Sequence, residues 1–193
     1  GGSYGGLLNN CILSGNTADS GGGSASSTLN NCMLTGNSAY FGGGSHIDTL
    51  NNCTLTGNLA KYDGGGSAYG TLNNCIVYFN TALNGPNYNS STISYSCTTP
   101  LPEGNGNIDS DPLLTSASHL SIDSPCIGAG SSAYSGGTDI DGEEWGFPPS
   151  MGCDEMVPGS VTGVLSVSVW AAYTNIAAGF AVPFRADIAG RTT

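Results

Sequence analysis

Acidic side chains are the most plentiful source of chemistry in this sequence, and basic partners are almost absent. The 193 residues contain 14 Asp and Glu against 3 Lys and Arg, which gives a formal net charge of -11. The only basic side chains are Lys61, Arg185 and Arg191. Since nucleic-acid binding needs many phosphate-neutralising groups, the composition excludes nucleic acid as a partner. Anionic membrane surfaces are disfavoured for the same reason.

One acidic stretch carries a pattern that could bind a metal ion. Asp139, Asp141 and Glu143 place alternating oxygen ligands around the turn at Gly142, which partly resembles a calcium-binding loop. The full spacing of an EF-hand loop is missing. We therefore keep Ca²⁺ as the one cofactor that the sequence suggests, with these three residues as candidate ligands. The alternative is that the carboxylates accept hydrogen bonds from nearby turn backbones, the candidates being Asp109, Asp111, Asp123 and Asp139.

The cysteines form a second group of reactive side chains, and most of them are regularly spaced. Four of the seven fall at intervals of 21, 21 and 22 residues, and one more follows 22 residues later. If these positions stack in register, neighbouring side chains point the same way, which is poor geometry for a disulfide. Neither His46 nor His119 shares the phase, so a metal site is disfavoured. We predict a buried stack of small apolar thiols at Cys11, Cys32, Cys53, Cys75 and Cys97.

Two further cysteines lie outside this spacing. Cys126 and Cys153 both fall in residues 101–157, which contain ten of the 14 acidic residues and which we call the acidic segment. They are a candidate disulfide. Two free thiols are the alternative.

The cysteine spacing belongs to a repeat that defines the fold. Three markers keep the same phase over four copies, and a unit of about 21 residues is too short for paired-helix repeats. It fits one coil of a parallel β-helix, with short strands between Gly and Asn corners. The markers are Leu-Asn-Asn-Cys at Leu8, Leu29, Leu50 and Leu72, Gly-Gly-Ser at Gly1, Gly22, Gly43 and Gly65, and Asn at Asn16, Asn37, Asn58 and Asn80.

Stacking of equivalent residues predicts ladders along the solenoid. The leucines and cysteines should point inward, asparagines at corners tolerate left-handed backbone and can bond to one another, and Gly-Gly pairs allow close approach. The fold class is therefore all-β, a right-handed parallel β-helix of about 21–22 residues per coil followed by a short strand tail. We expect β-helix coils over 1–100, an irregular acidic segment completing the solenoid over 101–157, and a two-strand tail over 158–193.

The repeats resemble a known group of proteins. Ser14-Gly15-Asn16-Thr17-Ala18 followed by Gly21-Gly22-Gly23-Ser24 is similar to the repeats of right-handed β-helix surface proteins, such as polymorphic outer-membrane proteins. The stretches 124–130, 138–143 and 151–155 look like the end of the choice-of-anchor domains of bacterial surface proteins. The Phe that usually opens the motif is missing except at Phe79-Asn80. The resemblance implies a fold and a bacterial cell-surface location more than a chemistry.

Enzymatic chemistry has little support in the repeats. A pectate-lyase-like mechanism wants a basic residue beside carboxylates, and Lys61 is the only one before Arg185. A glycoside hydrolase wants two converging carboxylates. Asp19 and Asp63 precede glycine runs about two coils apart, which would separate them by about 10 Å. We predict that the chain is not an enzyme and keep polysaccharide cleavage as the alternative.

The last part of the sequence changes to strict alternation of apolar and polar residues. This pattern predicts two half-buried strands, and it resembles the opening of an immunoglobulin-like or PKD-type sandwich. Two strands cannot bury an apolar face alone. They therefore belong to a longer protein, pack on the solenoid, or pair with a neighbouring molecule. The candidate assembly residues are Leu165, Val167, Val169, Phe180, Val182 and Phe184.

These features together predict an extracellular structural or adhesive module. Gly1 enters the repeat without a polar cap, so we expect end-to-end self-association, with a filament as one form of it. Binding or cleavage of polysaccharide is the alternative function, and glycans are the alternative partner. No membrane insertion is expected. A sugar-stacking face is one role for the aromatic residues and covering the core is the other; these are Tyr40, Phe41, Tyr62, Tyr69, Tyr78 and Phe79.

Overall fold

A computed structural model describes residues 1–157 in full and the backbone of two later strands. The first turn contains β1 (Ser3–Tyr4), β2 (Leu7–Asn9) and β3 (Ile12–Ser14), and the second β4 (Ser24–Ala25), β5 (Thr28–Asn30), β6 (Met33–Thr35) and β7 (Ser38–Phe41). The third turn contains β8 (Ser45–His46), β9 (Thr49–Asn51), β10 (Thr54–Thr56) and β11 (Leu59–Asp63). The fourth contains β12 (Ser67–Ala68), β13 (Thr71–Asn73) and β14 (Ile76–Tyr78), and the fifth β15 (Tyr88–Asn89), β16 (Thr92–Ser94) and β17 (Cys97–Thr98).

Equivalent strands of successive turns pair in parallel and build three five-stranded sheets. Their orders are β1-β4-β8-β12-β15, β2-β5-β9-β13-β16 and β3-β6-β10-β14-β17, which we call the first, second and third sheets. A fourth, two-stranded sheet joins β7 and β11. Register is one to one, as in the stack of Leu8, Leu29, Leu50, Leu72 and Ile93. The predicted all-β parallel β-helix is confirmed.

The interior of the solenoid is a narrow apolar column. Burying each leucine contributes about 1.5–3 kcal/mol. Alternation along each short strand sends these side chains inward and their neighbours outward, which is why the spacing identified them. From the second turn onward the ladder residues are wholly buried, whereas Leu8 and Cys11 of the first turn are partly buried; the buried set is Leu29, Cys32, Leu34, Leu50, Cys53, Leu55, Leu72, Cys75 and Val77.

Cys97 does not belong to the cysteine ladder, which corrects the predicted stack. Cys97 pairs with Ile76, so the residue in register with Cys75 is Ser96. Ser96 reproduces the cysteine contacts, since its hydroxyl accepts the Cys75 amide at 2.9 Å and donates to the Ser94 carbonyl. Cys97 instead faces out of the coil into a second apolar cluster.

Two asparagine positions in each turn differ in backbone conformation, although we expected corner asparagines to combine left-handed backbone with side-chain amide bonds. Asn10, Asn31, Asn52 and Asn74 take the left-handed backbone, with φ between 47° and 55°. The ladder of Asn16, Asn37, Asn58 and Asn80 does not have positive φ. Its amides stack inside the turn, each donating to the next at 3.0–3.1 Å. Left-handed geometry is therefore confined to one of these two rows, whereas amide-to-amide bonds are not, since Asn74 donates to Asn52 at 3.3 Å. A third row, which we call the outer ladder, is linked by amide bonds of 2.9–3.1 Å and consists of Asn9, Asn30, Asn51 and Asn73.

The acidic segment, residues 101–157, first closes the solenoid and then returns along its side. The amide of Thr98 donates to the carbonyl of Ile108, which extends the last turn. Farther on, the amide of Cys153 donates to the Thr54 hydroxyl at 3.0 Å. The returning chain covers the outer face of the third sheet. This forms the second apolar cluster, made of Ile76, Cys97, Leu120, Cys126 and Met151.

The tail forms a separate unit, Pro158–Thr193. Within it β18 (Ser166–Ala171) and β19 (Phe184–Ala189) pair antiparallel. The register places Val167 opposite Ile188 and Val169 opposite Ala186. Of the candidate assembly residues, Phe184 opens β19, whereas Leu165, Phe180 and Val182 lie outside the described residues. The likeness to an immunoglobulin or PKD sandwich stays a prediction.

Candidate functional site

The fourth sheet presents a cluster of exposed aromatic rings on one side of the solenoid. We call Tyr40, Phe41, Lys61 and Tyr62 the aromatic flank. The Tyr40 and Tyr62 rings stack with centroids 6.0 Å apart and planes 21° apart, and Phe41 lies 5.5 Å from Tyr62. Lys61 Nζ lies 5.3 Å and 5.2 Å from the centroids of the two tyrosine rings. The ammonium is thus held by cation–π attraction on the electron-rich ring faces.

A β-bulge places these side chains together. Ala60 pairs with Ala39 and Asp63 with Phe41, so Lys61 and Tyr62 both lie opposite Tyr40. The sequence itself contains a signal for this insertion. Asn37 and Asn58 are 21 residues apart, whereas Gly43 and Gly65 are 22 apart. The extra residue must therefore fall between 58 and 65, which is where the bulge lies.

A groove runs beside the flank toward the first turn. Its volume is about 540 Å³, and its lining includes Thr17, Asp19, Ser38, Tyr40 and Lys61. The Thr17 and Ser38 hydroxyls are 3.0 Å apart, so one donates to the other while both keep free lone pairs. The groove therefore combines one aromatic wall, two hydroxyls, one carboxylate and one ammonium.

The other exposed aromatics do not extend this surface. Tyr69 meets His46 edge to face at 5.8 Å, and Tyr78 meets Phe79 at 4.9 Å. The Tyr78 hydroxyl donates to the Asp109 carbonyl and so anchors the acidic segment. Of the six aromatics considered, three form the flank. These three rings do not cover the core, since Tyr40, Phe41 and Tyr62 are 45%, 36% and 39% exposed.

The two carboxylates considered for hydrolysis are not in phase. Phe41 pairs with Asp63 on one side and with Ser20 on the other, so Asp19 is one position out of register. Since successive residues of a strand face opposite sides, the expectation that Asp19 and Asp63 occupy equivalent positions two coils apart was wrong. Asp63 Oδ1 accepts a hydrogen bond from the Asn84 amide.

A second cluster lies in the acidic segment. We call His119, Asp141 and Asp154 the His119 cluster; one ligand atom from each lies within 4.8 Å of the others. His119 Nε2 is 2.7 Å from Asp141 Oδ2, and the Ser116 hydroxyl is 2.6 Å from His119 Nδ1. Asp154 is 3% exposed, and its Oδ2 accepts the Leu120 amide. Burial raises the pKa of Asp154 to about 7.

This Ser–His–Asp arrangement resembles a nucleophilic triad only in composition. The Ser116 hydroxyl oxygen already accepts the amides of Ser118 and His119, at 3.3 and 3.0 Å. These bonds occupy its lone pairs, and the serine caps a tight turn three residues from the histidine. An activated serine would instead have a free lone pair directed at a substrate.

The predicted calcium ligands do not converge. Asp139 is fully buried, and its Oδ1 accepts the amides of Asp141 and Glu143 at 3.0 and 2.7 Å. Its Oδ2 accepts the Glu155 amide at 3.0 Å. Asp139 therefore organises the turn backbone, as the alternative interpretation stated. Asp141 faces His119 instead, a pairing that linear spacing could not suggest.

The seven cysteines are free thiols in the structure. Cys126 and Cys153 are both buried, and their disulfide stays a prediction. Cys126 interacts with Cys97, and this hydrogen bond raises the pKa of Cys97 and lowers that of Cys126. Burial raises the pKa of Cys153 beside Thr54.

Comparison with known proteins gave no match to a protein-family model, to a curated protein or to a solved structure. Within the described residues no helix is long and apolar enough to cross a membrane.

Proposed function

We propose that the chain is an extracellular structural and adhesive β-solenoid module that binds a neutral polysaccharide through the aromatic flank. The observation that carries the proposal is the stacked, exposed pair of Tyr40 and Tyr62 on a rigid sheet. The likeness of the repeats to bacterial surface proteins supports a location at a bacterial cell surface.

The chemistry of the flank suits a sugar chain. The face of an aromatic ring carries partial negative charge and attracts the C–H groups on the flat side of a pyranose ring. Hydroxyl groups around the sugar need hydrogen-bond partners, which the hydroxyls of Thr17 and Ser38 and the carboxylate of Asp19 supply. A groove of about 540 Å³ lies within the ordinary size of ligand sites.

Charge favours a neutral polysaccharide over an acidic one. The chain carries a net charge of -11, which repels polyanions at long range. Lys61 is the one cation of the solenoid, and its ammonium already rests on Tyr40 and Tyr62. The flank therefore offers little free positive charge to a uronic acid.

Rigidity of the backbone supports an adhesive role. The flank strands β7 and β11 pair with each other and continue through isolated bridges to the turns on either side. Directly after Asn37, Ser38 begins β7, so the buried asparagine ladder fixes the start of the strand. Held rings lose little conformational freedom on binding, which favours affinity.

Affinity electrophoresis through gels containing soluble neutral glucans, mannans or xylans tests the proposal. We expect retardation by at least one neutral polysaccharide and loss of it in Tyr40→Ala and Tyr62→Ala. Tyr69→Ala is the matched control, since Tyr69 is 49% exposed and lies outside the flank. Release of reducing sugar, retardation by pectate alone, or equal retardation of all variants would contradict the proposal.

Self-association is a second proposal, supported by the first turn. Leu7 of β2 and Ile12 of β3 are 67% and 63% exposed. Exposed apolar side chains close together on a surface favour association with another chain. Sedimentation velocity should show concentration-dependent assembly that Ile12→Lys weakens, and a monomer at all concentrations would refute it.

A further inference from the structure

We propose that His119, Asp141 and Asp154 bind a divalent transition-metal ion of the zinc or cobalt type. The inference is independent of the polysaccharide proposal, because the cluster lies in the acidic segment and the groove lies among the repeats.

The donor set is compact and comes from three separate loops. One nitrogen and two carboxylate oxygens lie within 4.8 Å of one another. The His119 and Asp141 side chains are 22% and 21% exposed, so an ion could enter from one side. Asp154 closes the other side as a buried carboxylate, whose Oδ2 is held by the Leu120 amide at 2.9 Å.

The histidine is already oriented as a ligand. A metal-bound imidazole coordinates through one nitrogen and donates the hydrogen on the other to a neighbouring acceptor. His119 Nε2 faces the two carboxylates, and Nδ1 lies 2.6 Å from the Ser116 hydroxyl and 3.2 Å from the Ser118 hydroxyl. The Ser118 hydroxyl oxygen can accept from Nδ1 when Nε2 binds metal, whereas that of Ser116 already accepts two backbone amides.

The segment around the His119 cluster carries excess negative charge, which a bound cation would neutralise in part. No Lys or Arg lies between residues 62 and 184, and His119 is the only basic side chain in the acidic segment. Asp154 is nonetheless buried there. Buried carboxylates are stable when paired or metal-bound, and a divalent ion would offset the charge of Asp141 and Asp154 together.

The mixed donor set selects the class of metal. Calcium prefers six to eight oxygen ligands, which this cluster does not supply. An imidazole with two carboxylates and one open position suits zinc or cobalt. The bound ion would join the loops at 116–120, 138–144 and 150–155. It should therefore also stabilise the packing of the acidic segment on the outer face of the third sheet.

Co²⁺ titration of the full chain, previously treated with a chelator and a thiol reductant, tests the inference. We expect one ion per chain and d–d absorption without a thiolate charge-transfer band, which separates this cluster from the cysteines. His119→Gln and Asp154→Asn should abolish this binding. Ser118→Ala should weaken it by about tenfold, as expected for the loss of the hydrogen bond that supports the imidazole.

Asp123→Asn is the matched control, since Asp123 is an exposed carboxylate of the same segment. Because Asp154→Asn alters a buried site, circular dichroism must show that the variant is folded, and His119→Gln, at a part-exposed side chain, provides a second test. Absence of binding, a thiolate band, or binding unchanged in both folded variants would overturn the inference.

Discussion

Asp48 Oδ1 accepts the Ser27 amide at 2.6 Å, while Asp48 Oδ2 is buried without a hydrogen-bond partner. Serines hold the equivalent position in the second and fifth turns, where the Ser27 hydroxyl accepts the Gly6 amide and the Ser91 hydroxyl accepts the Gly70 amide. Asp48 thus accepts a backbone amide from the preceding turn, as a serine hydroxyl does in other turns, although its carboxylate is buried, with the residue 2% exposed. Burial raises the pKa of Asp48 to about 6 from 3.8.

We therefore expect Asp48→Asn to stabilise the protein at neutral pH. A raised folded pKa means that the native state binds the proton more tightly, so the contribution of Asp48 to stability falls as pH rises from about 4 to about 6 and is then constant. The variant lacks this contribution, so its free energy of unfolding should exceed that of wild type by up to about 3 kcal/mol at pH 7. Urea unfolding of both proteins at pH 4, 5, 6 and 7 measures this difference. A difference that does not grow over this range would contradict the assignment.

Truncation of one side chain in the buried asparagine ladder should lower the free energy of unfolding. The Asn58 side chain accepts the amide and side chain of Asn37 and donates to the Leu34 carbonyl and to Asn80, all at 2.9–3.0 Å. Asn58→Ala leaves these buried groups unpaired, so we expect a loss of about 2–4 kcal/mol in the free energy of unfolding. Asn30→Ala, in the half-buried outer ladder, should cost below about 1 kcal/mol by urea titration.

Close stacking of the glycine corners makes a methyl group intolerable at one of them. A Cβ on Gly44 would lie 2.6 Å from the Gly66 carbonyl oxygen in the next turn. Gly44→Ala should therefore force adjacent turns apart and cost about 2–3 kcal/mol. Gly136→Ala is the control, because its Cβ would meet nothing within 4 Å. Equal melting temperatures of the two variants would refute the packing explanation.

The turn centred on Asp139 should depend on its carboxylate. Asp139→Ala leaves the amides of Asp141, Glu143 and Glu155 without their acceptor, and we expect a loss of about 3 kcal/mol. Limited proteolysis should then cleave residues 101–157 faster than wild type, while the exposed-site control Glu144→Ala should match wild type. Calcium-dependent rescue of Asp139→Ala would contradict a purely structural role.

Thiol accessibility can be measured directly. Burial raises the pKa of Cys53 well above its usual value, and Cys32, Cys75, Cys97, Cys126 and Cys153 are buried too. In the native protein an alkylating reagent should therefore label only Cys11 at an appreciable rate. Seven thiols should react in denaturant without reductant. Five would show that one disulfide forms, and peptide mapping would then distinguish Cys126–Cys153 from Cys97–Cys126.

The sequence by itself determined the solenoid. Each ladder repeats the same contacts at every turn, so the residues that make them recur in the sequence at a fixed interval. The sequence identified the inward leucines and the three repeat markers. It also contained the insertion that produces the bulge at Lys61 and Tyr62.

Only the tertiary structure decided what the non-repeating parts do. A single shifted residue put Ser96 in place of Cys97 in the ladder, and two asparagine corners proved to have different backbones. The acidic segment has no period, so nothing in its spacing could bring His119 to Asp141 or Asp154. These contacts arise because the segment folds back to cover apolar residues of the third sheet, and that burial is a property of the assembled coil.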